Sequence, residues 1–288
     1  MKYRYLCFPG GKQKAVTFSY DDGVSQDIRL AEMLCKYRLK GTFNVNSGLF
    51  GENGRNSTRL TPEKIKANII DKGHEVAVHG VDHIAAGVAS PPLCLKEVFE
   101  CRRDLEDIFD TIIRGMAYAD SGIRLIYNGN SYETVKNILT YSGIAYARSL
   151  GGDNSKFDLP RDFHAWVPTC HHKNPEIFKW IEEFCAAEYS TERAKLNYPR
   201  LFYIWGHSYE FDMDNNWDRM ESICEKLSGR EDTWYATNIE IYDYVKAYEA
   251  LIFSADETRV FNPTSVPVWL TYDFKVVKVE PNSYLKLD

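Results

Sequence analysis

The sequence predicts an α/β protein built of parallel βαβ units and followed by a small β appendage. Two observations predict it. Seven strand-like runs alternate with helix-like segments over most of the chain. Beyond residue 258 the pattern changes to closely spaced strand-like runs with no helix between them. One strand per unit with right-handed crossovers leaves two arrangements open, a closed barrel and a doubly wound sheet.

The first strand is read at residues 15–18, an apolar run rich in β-branched and aromatic residues. It ends in Asp21-Asp22, and Gly23 permits a sharp turn. Val24, Ile28, Ala31 and Cys35 then recur at helical spacing. The second strand is read at 42–46. Thr61-Pro62 starts a helix that Gly73 ends, with Thr as cap and Pro at the first helical position. The third strand, 74–78, leads into His79, and His74 is expected to face solvent. A helix from Ser90-Pro91 to about Asp110 is expected to turn Leu95, Val98, Leu105 and Ile108 inward. Strand 112–118, helix 132–141, strand 144–148 and an irregular stretch at 151–169 follow. Helix 175–188, strand 201–205 and an amphipathic helix on Trp217, Met220, Ile223, Cys224 and Leu227 come next. Strand 233–236 and helix 240–251 complete the units. The expected division is a catalytic domain over 1–258 and a β appendage over 259–288, with strands at 266–271, 275–280 and 283–287.

The 288 residues suffice for one large domain with a substantial core. The formal charge of −6 carries no basic footprint for nucleic acid or an anionic membrane surface. Aromatic residues are abundant (19 Tyr, 15 Phe, 6 Trp), which suits a sugar-stacking surface and a filled core equally. No signal peptide or transmembrane run is read, and seven cysteines without a CxxC pair suit reduced thiols, so the cytoplasm is expected.

Three motifs carry chemistry. Asp21 and Asp22 are adjacent carboxylates that repel unless a cation sits beside them; one can bind a divalent metal while the other handles a proton. A surface turn is the bland alternative. His79 and His83, at i and i+4, present two imidazoles on one face, a common grip on a metal, although such pairs also arise by chance. His207 follows the strand at 201–205 and a glycine, a place for a general acid or base or for a loop-anchoring histidine. In a parallel α/β barrel all strand ends of one sense meet at one rim, so the three motifs would share one mouth. Two imidazoles and a carboxylate suit a divalent metal, zinc first, with positions left for water and substrate. Cys170-His171-His172 reads as a loop lining the cleft rather than a metal cluster, and Tyr209 and Phe211 as either sugar-stacking or packing residues.

These motifs resemble those of polysaccharide deacetylases of the NodB-homology type, carbohydrate esterase family 4. Thr17-Phe18-Ser19-Tyr20-Asp21-Asp22-Gly23 resembles the family's first motif, His79-x-x-x-His83 its second and Trp205-Gly206-His207 its last. The resemblance implies a distorted (β/α)7 barrel and a metal-dependent removal of the N-acetyl group of amino sugars in an oligo- or polysaccharide. It implies Asp21 as general base, Asp22, His79 and His83 as metal ligands, and His207 as general acid. It sets Trp166 and Trp205 against the acetyl methyl and a backbone N–H near Tyr118 against the oxyanion. Two departures stand out. The third motif reads Arg114-Gly115-Met116-Ala117-Tyr118, so Arg114 is a weak candidate for orienting Asp21. Ala165 precedes Trp166 where the family has Asp, leaving Asp162 as the candidate partner of His207. Rival readings are an O-acetyl sugar esterase, another non-peptide amide hydrolase, and a carbohydrate-binding protein with a relic site.

Overall fold

The chain enters through a short strand, β1 (Arg4–Cys7), and then forms β2 (Lys14–Asp21), every residue of which is buried. This is a computed structural model that describes residues 2–153 and 156–287. Met1, two positions of the expected irregular stretch (154 and 155) and the last residue of the expected appendage lie outside the described residues. After β2 come α1 (Asp27–Lys36), β3 (Thr42–Val45), α2 (Pro62–Asn68), β4 (Glu75–Val78), α3 (Pro91–Phe109), β5 (Gly115–Ala117), α4 (Tyr132–Tyr141) and β6 (Tyr146–Arg148). The second half runs β7 (Cys170–His171), α5 (Ile177–Ala186), β8 (Arg200–Gly206), α6 (Tyr209–Met213), α7 (Trp217–Leu227), β9 (Thr233–Tyr235) and α8 (Asn238–Glu249).

Strands β6-β5-β4-β3-β2-β8-β7 lie side by side, and all their pairings are parallel. β8 follows one edge of β2 from Lys14 to Tyr20. The other edge is shared: β9 takes Lys14 to Val16 and β3 takes Ser19 to Asp21. The sheet therefore curls around β2 into a distorted (β/α) barrel that is open between β6 and β7. Both faces are covered, which is why β2 reads as a nearly continuous apolar run. The eighth strand of this sheet is β7, a two-residue edge strand beside β8; its Cys-His sequence has no strand propensity to announce it.

Helix α3 buries Cys94, Val98, Cys101, Leu105 and Phe109, one stripe at three- and four-residue spacing. Leu95 and Ile108 fall off that stripe and are 46% and 43% exposed, which corrects the expectation for both. His74 is buried rather than solvent-facing, and its Nδ1 accepts from the Gly41 N–H at 3.1 Å. Helix α8 starts two residues earlier than its apolar spacing indicates. Thr237 and Glu240 form a reciprocal capping box there, the kind of cap whose loss costs about 1 kcal/mol.

The appendage is not made from residues 259–288 alone. β10 (Ile252–Phe253), β11 (Arg259–Asn262) and β14 (Ser283–Lys286) form one three-stranded sheet. β12 (Val268–Tyr272) and β13 (Lys275–Val279) form another with β1, which pairs Arg4 with Tyr272 across nearly the whole chain. Ala247 and Leu251 at the end of α8 join Val260, Val268, Leu270, Val279 and Leu287 in their common core. Among the described residues no helix is long and apolar enough to cross a membrane.

Candidate active site

The parallel sheet brings Asp21, Asn44, Val78, Ala117, Arg148, His171 and Gly206 to one rim, at or beside the exits of their strands. Just beyond the exit of β2, Asp22 takes φ +86° and Gly23 φ +62°. A side chain at Gly23 would meet Val45 Cγ1 at 2.9 Å, so this tight turn admits only glycine. His83 also has a positive φ, +61°. Two non-glycine residues in the left-handed region at one site mark a local cost that the surrounding structure carries for the sake of geometry. Asn46 fixes the loop after β4 by donating to the His79 carbonyl at 2.6 Å and the Gly80 carbonyl at 3.2 Å. Glu97, from α3, accepts from the Asp82 N–H at 3.0 Å and so holds the turn that presents His83.

Asp22 Oδ1 stands 3.3 Å from His83 Nε2 and 3.8 Å from His79 Nε2. His79 Nδ1 lies 2.9 Å from the Ala117 carbonyl. A carbonyl only accepts, so Nδ1 carries the proton and Nε2 turns a lone pair toward Asp22. Burial pushes His79 down to about 4, which keeps the ring neutral. Burial works against the Asp22 charge, but the His83 contact and the Arg59 guanidinium outweigh it and hold the carboxyl well below its ordinary range. Arg59 reaches over from the loop before α2, donating to the Asp22 carbonyl at 2.6 Å and standing 3.0 Å from Oδ1. Oδ1 itself is buried and makes no hydrogen bond of good geometry. A buried acceptor without a hydrogen bond of good geometry, facing two imidazole nitrogens, fits a divalent cation. Ligands about 2.0–2.1 Å from a tetrahedral zinc sit roughly 3.3 Å apart, close to the separations seen here.

Asp21 lies beside this triad and is 2% exposed. Asn44 Nδ2 donates to its Oδ1 at 2.8 Å, and Arg148 pairs with its Oδ2. Arg148 is fully buried, with Trp205 flat beneath its guanidinium at 4.5 Å. The expected orienting arginine, Arg114, is elsewhere: it forms a two-pronged ion pair with Asp243 at 3.0 and 2.5 Å on the outside of the molecule. The residue that orients Asp21 sits two strands' worth of sequence later, where the register of β6 ends on the rim.

His207 Nε2 faces Asp21 Oδ2 at 4.0 Å, while Nδ1 faces Glu210 Oε2 at 3.6 Å. Burial disfavours the imidazolium, but the Glu210 carboxylate and the charges of Asp21 and Asp22 prevail and raise His207 above its ordinary value. Asp162 does not contribute. It accepts from Tyr132 at 2.7 Å, Lys136 at 2.6 Å and the His164 N–H at 2.9 Å, as the cap of a short turn. The carboxylate beside His207 is that of Glu210, one turn further on. The same glutamate gathers His171 Nε2 at 3.1 Å and His172 Nε2 at 3.3 Å.

The substrate-wall expectations divide. Trp205 is half-buried, edge-on to His171 and His207. Trp166 is 1% exposed, packed edge-on to Tyr146, Phe163 and Tyr203, so it supports the floor rather than meeting a substrate. Tyr118 is also interior. Its hydroxyl donates to the His164 carbonyl at 2.8 Å and its N–H to the Arg148 carbonyl at 3.0 Å, so that N–H is not free for an oxyanion.

Part of the chain also resembles a known family in sequence. Residues 9–138 match the sequence model of the polysaccharide deacetylase family. The chain is also similar to several solved structures. A Mycobacterium smegmatis protein assigned to the polysaccharide deacetylases shares 17% identity over 86% of this chain and 96% of that one, with a TM-score of 0.55, and so shares the fold. A family 4 acetyl xylan esterase from Clostridium thermocellum, in complex with a cobalt ion, shares 16% identity over 80% of this chain and 90% of that one, with a TM-score of 0.47. The Streptococcus pyogenes deacetylase PplD, in complex with acetate, shares 23% identity with a TM-score of 0.39; the match covers 47% of this chain and 55% of PplD. No curated protein sequence matches the chain.

Proposed function

We propose that the chain is a metal-dependent hydrolase that removes the N-acetyl group of an amino sugar in an oligo- or polysaccharide, releasing acetate and a free amine. Asp22, His79 and His83 would hold the cation, and their mixed nitrogen and oxygen donors favour zinc. When bound, the cation supplies Lewis acidity toward the amide carbonyl and toward water. Asp21, fixed by Asn44 and Arg148, is the acceptor for the water proton. His207 presents Nε2 to the same space and gives its proton to the departing amine. Glu210, at its far nitrogen, is a positioning residue that favours the imidazolium. Trp205 offers an apolar wall for the acetyl methyl.

The observation that carries this reading is the pairing of opposite tasks at one rim. An ion-paired carboxylate stands 4.0 Å from a histidine whose protonated form its surroundings favour. The experiment is acetate release from N-acetylglucosamine oligomers and from acetylated xylan, with and without chelator. Release from the oligomers that chelator abolishes supports the reading. Release from xylan alone, or release indifferent to chelator, overturns it. The proposed compartment is the cytoplasm, since all seven cysteines are unpaired.

A further inference from the structure

The side of His207 that faces away from Asp21 has a donor set of its own. His171 Nε2, His207 Nδ1 and a Glu210 oxygen all lie within 4.8 Å of one another, the second such group among the described residues after Asp22, His79 and His83. Two edges of that triangle, 3.1 Å from His171 and 3.6 Å from His207 to Glu210 Oε2, bracket the roughly 3.3 Å spacing of ligands around tetrahedral zinc. The three side chains are 18%, 24% and 16% exposed, so an ion can reach them from solvent. Behind them His172 is fully buried, with no hydrogen bond at either ring nitrogen, and its Nε2 points at the same oxygen from 3.3 Å. A buried polar ring aimed without a partner into a donor cluster is the kind of exception that calls for a ligand. Lys173 faces the cluster too: its N–H donates to His171 Nδ1 at 3.2 Å, a bond that an ion on Nε2 would displace by moving the ring proton to Nδ1, and its Nζ sits on the other carboxylate oxygen, Oε1, at 3.3 Å and is shared with Asp214 at 2.8 Å.

We propose that His171, His207 and Glu210 form a second divalent-metal site, distinct from the Asp22 triad and taking ions of the zinc class. Two imidazoles and one carboxylate set that class. The site is the weaker of the two, because its ligands are partly exposed and Lys173 competes for the carboxylate. It also has a consequence, which rests on the reading of His207 as general acid. An ion on Nδ1 occupies the nitrogen that must be protonated to make the imidazolium. The Nε2–H of a metallated neutral ring is a far weaker acid, so loading this site inhibits turnover.

The test is zinc alone, titrated into chelator-stripped protein by calorimetry, with zinc content measured after desalting. The wild type is expected to take one tight equivalent and one weaker one. His171→Ala and the bulkier His171→Gln should each lose the weaker equivalent and keep the tight one, and His79→Ala should do the reverse. Inhibition of acetate release by excess zinc should vanish in both His171 variants. Uptake of only one equivalent by the wild type overturns the proposal, as does a second equivalent that survives both His171 variants. If His79→Ala fails to remove the tight equivalent while the His171 variants behave as expected, the Asp22 triad reading fails and the second site stands.

Discussion

Glu75 and Asp22 are both enclosed carboxylates of one parallel sheet, Glu75 at the entry of β4 and Asp22 just past the exit of β2. Their surroundings push them in opposite directions. Glu75 accepts from Thr42 at 2.8 Å, Tyr146 at 2.7 Å and the Ile239 N–H at 3.0 Å, so both its oxygens are satisfied. Those donors are neutral, and burial still pushes its carboxyl up to about 7. Asp22 has an oxygen with no hydrogen bond of good geometry, yet its carboxyl is held down by the His83 contact and the Arg59 charge. Three neutral donors thus do not offset the burial of Glu75, whereas an imidazole contact and a guanidinium do offset that of Asp22. The surroundings of Glu75 at the entry end are built to be quiet. The exit end leaves buried atoms of Asp22, Asn44, Arg148, Trp205 and His207 without partners, which is where a ligand has something to offer.

The strongest way to break this contrast is His79→Ala. It should abolish tightly bound metal by elemental analysis and lower kcat/KM by about a thousand-fold or more. Retained metal and activity would remove the exit end's claim to be special. Arg148→Met comes next. Stranding the Asp21 charge should cost about 3–5 kcal/mol in urea unfolding and roughly a hundred-fold in turnover, with the tight metal equivalent retained. Glu210→Gln removes the carboxylate that helps raise His207, so the alkaline limb of the kcat–pH profile should move to lower pH, with a loss of about ten- to a hundred-fold at its former optimum.

At the quiet end the effects concern stability alone. The folded-state value of Glu75, about 7, lies above its ordinary value of 4.5, so the folded form binds the proton more tightly. Its contribution is complete below about pH 4.5 and is lost as pH rises through 7, a change of about 3 kcal/mol. Glu75→Gln should flatten that slope in melting curves between pH 5 and 8 without altering acetate release. The slope should diminish rather than vanish, because burial also raises Asp27, on α1, to about 7. The smallest effect belongs to Arg114→Ala. Its ion pair with Asp243 is at the surface, so stability should change by at most about 1 kcal/mol and activity not at all.

Much of the exit rim was legible because a single rule, parallel strands ending together, collects Asp21, Asp22, His79, His83 and His207 from distant text. Arg148 was legible in part. It closes a strand whose residues 144–148 were read as such, and an arginine at the exit of a buried strand is a signal in its own right. Glu210 was hidden because an acidic residue three positions after a histidine is ordinary in sequence, and only the turn into α6 folds it back. β7 was hidden by its length, since two polar-flanked residues carry no periodicity. The pairing of β1 with β12 had no local trace at all. Antiparallel partners so far apart are chosen by tertiary packing, and neither strand's own pattern names the other.

That last pairing sets an order of assembly. The ribosome makes β1 well before β12, so the register that binds Arg4 to Tyr272 has no partner until β12 has emerged. The apolar β2 waits likewise for β8 and β9. The late strands must therefore emerge before the early ones can settle, and until then the apolar β2 has only β3 along part of one edge.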